Sequence, residues 1–490
     1  ERLFPGHATR MVATLETEVA PPPFRWRGVL HLSRLGATVA RKSEDTRPID
    51  GPGLTPETVN GVPARVWDYG WPGAEARWRD TEAVAWAADR VRFARLTVEA
   101  GLRLDRVRAS RGSDAATIDW TTLSPRITAR VGLLGQDRLT AVGGWGRYAH
   151  RLPLDLLAFG DVAAPQGAVY RWDDANADAR LQPGEVGPLV ARVGPGSAVA
   201  ALDPRLQPPR TDEAVAGFEA RIAGDWRGRV IALRRRERRL VAAVNVGIGT
   251  ADHDVIAVPD PGGDLLGPAD DQLLPIFDRR PESFGRDRYL LTNPAGENSL
   301  HEGVELEVRG AIGRRAWLRV GATASRTTGP AANRGFHVVE NDQDLVGERL
   351  ESPNAETNAR GRLFFDRAYT LKIAGGFRAP GDVRLGAVAR YQDGQPFARV
   401  VVAPALRQGA DLVQAIPNGR SRFAFTSTID VRLEKGFALG RRRLAGSVAV
   451  FNLADSAREV EEDVTTGASF RAVTAVQPPR AVRLGLRLDF

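Results

Sequence analysis

Ala94-Arg95-Leu96-Thr97-Val98-Glu99-Ala100-Gly101-Leu102-Arg103-Leu104-Asp105 is apolar at every even position, and charged, small or hydroxylated at the odd ones. Successive side chains of a β-strand point to opposite faces, so a two-residue period gives each face of a strand its own chemistry. The same rhythm ends the sequence: Ala481-Val482-Arg483-Leu484-Gly485-Leu486-Arg487-Leu488-Asp489-Phe490 alternates without a fault and finishes on an aromatic. Phe423, Phe425, Ile429, Val431 and Leu433 alternate with Arg422, Thr426, Thr428, Asp430 and Arg432, Val383, Leu385, Ala387, Ala389 and Tyr391 with Arg384, Gly386, Val388 and Arg390, and Val304, Leu306 and Val308 with Glu305, Glu307 and Arg309. Similar runs lie near 24–35, 80–92, 118–131, 137–148, 212–222, 228–245, 314–325, 357–378 and 441–453. Together they predict about 14 to 17 strands, many of roughly 10 residues or more, longer than the strands of soluble sheets.

What separates these strands decides between a soluble β-sandwich, which also alternates, and a membrane barrel. Tight connections at Gly313-Arg314, Ala379-Pro380-Gly381 and Ala438-Leu439-Gly440 alternate with long polar stretches near 151–211, 246–299, 329–356 and 393–420. Short turns at one end and long loops at the other are the asymmetry of a transmembrane barrel. The expected fold is therefore all-β: a transmembrane antiparallel β-barrel with long extracellular loops. Trp26, Trp78, Trp86, Trp145, Tyr148, Trp317 and Tyr391 fall near strand ends and suit an interfacial girdle.

Composition agrees and removes other classes. No stretch reaches the roughly 18 to 20 apolar residues of a membrane helix. A barrel strand shows lipid only every second side chain, so a mean hydropathy of −0.26 is compatible with a membrane wall. There is no cysteine, hence no disulfide, thiolate nucleophile or cysteine-bound metal. The net charge of +8 comes almost entirely from arginine, since the only lysines are Lys42, Lys372 and Lys435. The arginines are spread mostly singly, the densest run, Arg234-Arg235-Arg236-Glu237-Arg238-Arg239, being one short stretch, which argues against nucleic acid and for a polar lumen or anionic lipid headgroups. The chain starts at Glu1 without a leader, so any signal peptide is expected to be removed or to lie upstream.

Several motifs give the chain a resemblance to the C-terminal part of a TonB-dependent receptor of the Oar-like group. They are Trp120-Thr121-Thr122-Leu123-Ser124-Pro125-Arg126, Arg390-Tyr391-Gln392-Asp393-Gly394-Gln395-Pro396-Phe397, Val450-Phe451-Asn452-Leu453, and Pro478-Pro479-Arg480 leading into the last strand. The resemblance covers 80–490, most strongly beyond 355. It implies a barrel of about 22 strands, plugged by an N-terminal domain and energised through TonB, in the outer membrane of a Gram-negative bacterium. It also implies a sorting signal for the barrel-assembly machinery in Val482, Leu484, Leu486, Leu488 and Phe490. Neither a plug nor a TonB-contact segment is recognisable ahead of the first strand. Residues 1–490 are thus expected to be an N-terminally truncated barrel domain, with outer-membrane lipid, lipopolysaccharide and an extracellular ligand as partners and TonB acting only through a plug. The rivals are a passive porin or adhesion barrel and, from another class, a soluble carbohydrate-binding module or hydrolase.

Enzymatic constellations are not expected. His7, His31, His150, His253, His301 and His337 lack metal spacing, and no nucleophile elbow, P-loop or dinucleotide fingerprint is present. No cofactor is required. One cation motif stands out: Asp174, Asn176, Asp178 and Glu185 occupy positions 1, 3, 5 and 12 of a calcium loop, with the Arg180 carbonyl as a fifth ligand. Ala179 replaces the glycine usual at its sharp turn, and the alternative is an acidic, solvated loop. Asp270-Asp271-Gln272, Asp278-Arg279-Arg280 and Glu340-Asn341-Asp342-Gln343 read as solvating loop clusters.

Overall fold

The computed structural model describes residues 6–48, 53–70, 75–112, 117–135, 138–260, 273–296, 298–330, 353–440 and 442–489. Fifteen long strands form one meandering antiparallel wall. The first eight are β1 (Gly6–Val19), β2 (Val29–Pro48), β3 (Ala76–Phe93), β4 (Leu96–Arg111), β5 (Ile118–Leu134), β6 (Leu139–Ala149), β7 (Arg210–Ala223) and β8 (Trp226–Arg238). The remainder are β9 (Ser299–Ile312), β10 (Ala316–Pro330), β11 (Tyr369–Ala379), β12 (Val383–Gln392), β13 (Thr426–Leu439), β14 (Arg442–Phe451) and β15 (Ala481–Asp489). Each pairs with the next in sequence. Among the described residues β1 and β15 each have a neighbour on one side only, so the wall is open between them.

The turns of two to four residues lie at one end, with the nine-residue connection at 20–28, and the long connections lie at the other, with the six-residue one at 112–117. Gly313 turns with φ 60°, a left-handed value that costs glycine nothing. Ala94 does the same at φ 47°, which is why β4 begins at Leu96 although the alternation reads smoothly from Ala94. The run predicted over 228–245 breaks for the same reason: Arg239 adopts φ 58° after β8, and Ala242–Asn245 belongs to a separate small sheet in the loop layer. Likewise β11 starts at Tyr369, later than the run at 357–378 suggests. The connections at 49–75 and 452–480 join the long loops anticipated from sequence and carry short strands of their own.

The two faces of the wall follow the alternation. On the outer face of β4 and β5, Leu102, Leu104, Leu123 and Ile127 are each about half exposed. On the inner face stand Arg103, Asp105, Arg126 and Thr128. From Leu96 to Leu104 the strand rises roughly 26 Å at about 3.3 Å per residue, enough for the apolar band of a tilted outer-membrane strand.

At residue 106 the chemistry of the faces exchanges while the alternation continues. Outward Leu102 and Leu104 give way to Arg106 and Arg108, which pair with Asp119 of β5 at 3.1 and 3.2 Å. Inward Arg103 and Asp105 give way to buried Val107 and Ala109. Beyond the apolar band the outside is solvated and the inside receives a core: Trp78, Val107, Ala109, Ile118 and Trp120 pack with Leu152, Leu154, Leu156, Leu157 and Phe159 of the β6–β7 loop. Each fully buried leucine or phenylalanine there contributes about 1.5–3 kcal/mol, so the long loops form a folded layer.

The aromatics divide in a way the girdle expectation misses. Trp26 and Trp145 are exposed on the outer face, whereas Trp78 is buried and donates from Nε1 to Asp161 at 2.7 Å. Trp86 and Trp317 lie on the inner face, each laid over a glycine of the adjoining strand: a Cβ at Gly36 would come within 2.3 Å of the Trp86 indole, and one at Gly376 within 2.3 Å of Trp317. These glycines exist to let a ring lie flat on the wall.

Candidate functional site

The inner face is an arginine surface interrupted by single carboxylates. Near the middle of β2 to β7 a recess of about 410 Å³ is lined by Arg34, Trp86, Glu99, Arg103, Arg126, Tyr148 and Glu213. Glu99 is held by Arg90 at 2.5 Å and by Arg34 at 3.4 Å, and the Arg126 guanidinium lies 4.3 Å from the centre of the Tyr148 ring. An aromatic face beside fixed cations offers stacking and charge to a planar or anionic guest.

Towards the turns a larger recess, about 700 Å³, brings Arg95, Arg130, Arg221, Arg227, Arg229, Arg309 and Arg319 around Glu219 and Glu307. Arg130 reaches Glu219 at 2.5 Å and Arg319 reaches Glu307 at 2.9 Å. Seven cations against two anions leave a strong positive excess. Guanidinium groups stay charged at any physiological pH, so this part of the wall attracts anions and repels cations. On β12 to β15 the buried Glu434 has Arg384, Arg432, Arg443 and Arg487 within 3.1–3.8 Å.

The loop layer stands over this surface. Buried Arg279 makes two 3.1 Å contacts with Asp287, which also accepts from Asn245 at 3.0 Å. Asn354 clamps the Phe277 backbone through its N–H at 2.8 Å and its carbonyl at 2.9 Å. Arg407 of the β12–β13 loop pairs with Asp254 and, at 2.7 Å, with Asp278, both on the β8–β9 loop. Hydrogen bonds from Arg407 and then Arg280 hold the Asp254 carboxyl below the usual carboxylate range. Burial acts oppositely on Asp155 of the β6–β7 loop, whose pKa is raised, with the nearby Glu44 carboxylate adding to the effect.

Asp278-Arg279-Arg280 is therefore not the solvating cluster its composition suggests: Asp278 and Arg279 are buried and tie loops together. Asp270-Asp271-Gln272, Glu340-Asn341-Asp342-Gln343 and His337 lie outside the described residues, as does Phe490. The other members of the C-terminal set, Val482, Leu484, Leu486 and Leu488, share one apolar, outward face of β15.

The proposed calcium loop is brought together only in part. Asp174, Asn176 and Asp178 share an exposed turn, where Asp174 accepts from the backbone N–H of Asp178 at 3.3 Å and of Ala179 at 3.0 Å. Ala179 takes the left-handed conformation, φ 53°, that its position requires. The Arg180 N–H donates to Asp178 at 2.8 Å. Glu185, by contrast, is buried and accepts from the Gln182 N–H at 2.9 Å and from Trp172 Nε1 at 3.4 Å. Among the described residues no group of three or more histidine or acidic side chains is placed to hold a metal.

The loop anchors Trp78, Trp120 and Arg111 were missed from sequence. The Trp120 Nε1 donates to the Leu206 carbonyl at 2.8 Å, and Arg111 donates to the carbonyls of Leu157 at 2.7 Å and Gly160 at 3.3 Å, and to that of Phe159. Their signal was available: inward positions turn apolar after Asp105.

No protein-family model matches the chain, and no curated protein matches it in sequence. Solved structures do match. The outer-membrane transporter YddB from Escherichia coli superposes with a TM-score of 0.61 at 13% identity, over 98% of this chain and 54% of that one. The ferric-catecholate import receptor Fiu from E. coli K12 gives 0.52 at 14%, over 98% and 55%. The ferripyoverdine receptor of the Pseudomonas aeruginosa outer membrane gives 0.54 at 11%, over 99% and 49%. The chain thus has the fold of the strand wall of outer-membrane transporters, and it spans about half the length of the structures it matches.

Proposed function

We propose that this chain is the β-barrel portion of an outer-membrane TonB-dependent receptor, taking up an extracellular ligand without making or breaking a bond. The observation that supports this most directly is the exchange of faces at residue 106. A soluble sandwich has no reason to expose Leu102, Leu104, Leu123 and Ile127 side by side and then, two residues on, to turn the same face to arginine. A wall that passes from lipid into water has that reason.

In this reading the folded loop layer meets the ligand, and the arginine-rich lumen favours anionic guests or the acidic surface of a plug. TonB acts through a plug domain rather than through the wall, the barrel-assembly machinery reads the outward face of β15, and lipopolysaccharide surrounds the loop-side rim. A passive porin is less well supported, since the long loops pack into hydrophobic cores of their own.

The test is refolding of the chain into detergent micelles, into phospholipid vesicles and into plain buffer, followed by semi-native electrophoresis. The expected result is a compact, heat-modifiable band with detergent or lipid only. A folded, monodisperse species in plain buffer would overturn the membrane reading.

A further inference from the structure

The β6–β7 loop returns to the inner face through a single 3₁₀ turn, Leu154–Ala158, which packs against β3 and β4 with Leu154, Leu156, Leu157 and Ala158 buried. Asp155 is its charged member, and the Oδ1 of Asp155 is buried without a hydrogen-bond partner. Beside the turn, β1 to β3 carry a polar layer at the inward positions that Trp78 and Trp86 share. Arg10 stands opposite Glu44 and donates to it from Nε at 2.8 Å and Nη2 at 2.6 Å. Lys42 stands opposite Asp80 and reaches Asp80 at 3.0 Å and Glu82 at 3.4 Å.

Glu44, Asp80 and Glu82 are buried, so with Asp155 the layer sets four carboxyls against two cations. An ion withdrawn from water is costly unless it is paired. The oxygens left over are on Asp80, whose Oδ1 also lacks a partner, and on Asp155. Among the described residues no three of these acids are placed to hold a metal ion, which leaves protons to supply the missing charge. Asp80 is fixed in the wall, but Asp155 leaves the layer whenever the loop does. Burial raises the Asp155 pKa and the Glu44 carboxylate raises it further, while the backbone N–H groups of Asp155 and Leu156 and the Arg10 guanidinium act the other way.

We propose that Leu154–Ala158 is a proton-operated latch, which seats on the inner wall with a neutral Asp155 beside Glu44 and lifts more readily once that proton is lost. Three buried leucines hold the turn in either state, so the proton sets how often it opens rather than whether it folds. Docked, the carboxyl favours its neutral form; released into water, it returns to the ordinary aspartate value of about 3.9. The added stability is complete below that value and is lost as pH rises through the raised, docked one. Opening uncovers the inner face of β3 and β4 above Trp86, so acid keeps this part of the mouth covered. The latch rests on the reading that this face lines a barrel.

The experiment is amide hydrogen exchange over 151–165, read by mass spectrometry on the chain refolded in micelles and normalised at each pH to an unstructured peptide. Protection should rise at least about three-fold as pH falls from about 7.5 to about 5. Asp155→Asn, neutral and of the same shape, should show the acid level of protection at both pH values. The segment around His253, where burial lowers the pKa of a cationic group, should move the opposite way in the same samples, which separates the latch from a general effect of acid. Equal protection at both pH values in the unaltered chain would overturn the latch. So would an Asp155→Asn chain that keeps the full pH difference, or one that loses protection at both values while still giving the heat-modifiable band. Absence of that band from the unaltered chain would instead overturn the barrel reading.

Discussion

Arg399 and Asp260 meet at 2.6 Å with side chains 1% and 0% exposed, joining the loop between β12 and β13 to the loop between β8 and β9. A buried pair is costly to assemble and costlier to halve: removing one partner strands the other charge, at about 3–5 kcal/mol. Asp260→Ala should therefore loosen both loops, raising amide exchange over 396–415, while Arg399→Met combined with Asp260→Leu should recover most of the protection. Wild-type exchange in the single variant would show that the pair does not hold the layer.

Leu102→Arg places a charge on the outer face in the upper half of the apolar band and should cost about 1–3 kcal/mol, between the midplane and interface values. Its neighbour Arg103 faces inward, so Arg103→Gln should cost far less. Urea titrations of the chain refolded in phospholipid vesicles compare the two. Equal losses would contradict the assignment of faces.

His253 is 4% exposed, and burial holds its pKa below the ordinary value, with the Gly249 carbonyl and Asp252 and Asp278 opposing and Arg279 reinforcing. A depressed imidazole favours the neutral form in the folded loop. Its stabilisation is complete above the unfolded pKa of about 6.5 and fades as pH falls through the folded value. Proteolysis between 249 and 286, normalised to an unstructured peptide, should accelerate as pH drops below about 6. His253→Asn should flatten that dependence, and an unchanged profile would assign the acid sensitivity elsewhere.

We propose calcium as a weak structural ligand of the turn at Asp174, Asn176 and Asp178. With Glu185 engaged by Trp172 and Gln182, the affinity should fall in the range of about 10⁻⁴–10⁻³ M seen for extracellular sites. Calcium at a few millimolar should slow protease cleavage between 173 and 185, and Asp178→Asn should remove the effect. Cleavage indifferent to calcium would leave an acidic turn held by its own backbone donors.

The wall was legible because an apolar outer face and a polar inner face write the same two-residue code on strand after strand. Leu484 and Leu486 read correctly from sequence because nothing else competes for the outer face of β15. The loop layer was not legible, because it is stabilised by contacts between residues far apart in the chain. Nothing local to Asp278 or Arg399 announces a partner more than a hundred residues away. Tryptophans misled for a related reason: Trp78 and Trp145 both sit near strand ends, and only the face, inward above the band or outward within it, separates an anchor from a girdle residue.

The unbroken alternation across residue 106 also limits how such a wall can change. Outward leucines and the inward, core-facing Val107 and Ala109 lie on one strand, so deleting a single residue just after Thr97, with the turn at Ala94 kept, would invert everything beyond it at once: charge to the outer face below, arginine into the core above. A one-residue change within the strand would therefore have to be absorbed by a bulge, as the register shifts between Arg221 and Ala223 and between Gly132 and Leu134 do near the turns, or in the turns and loops, where the parity of the next strand can be reset.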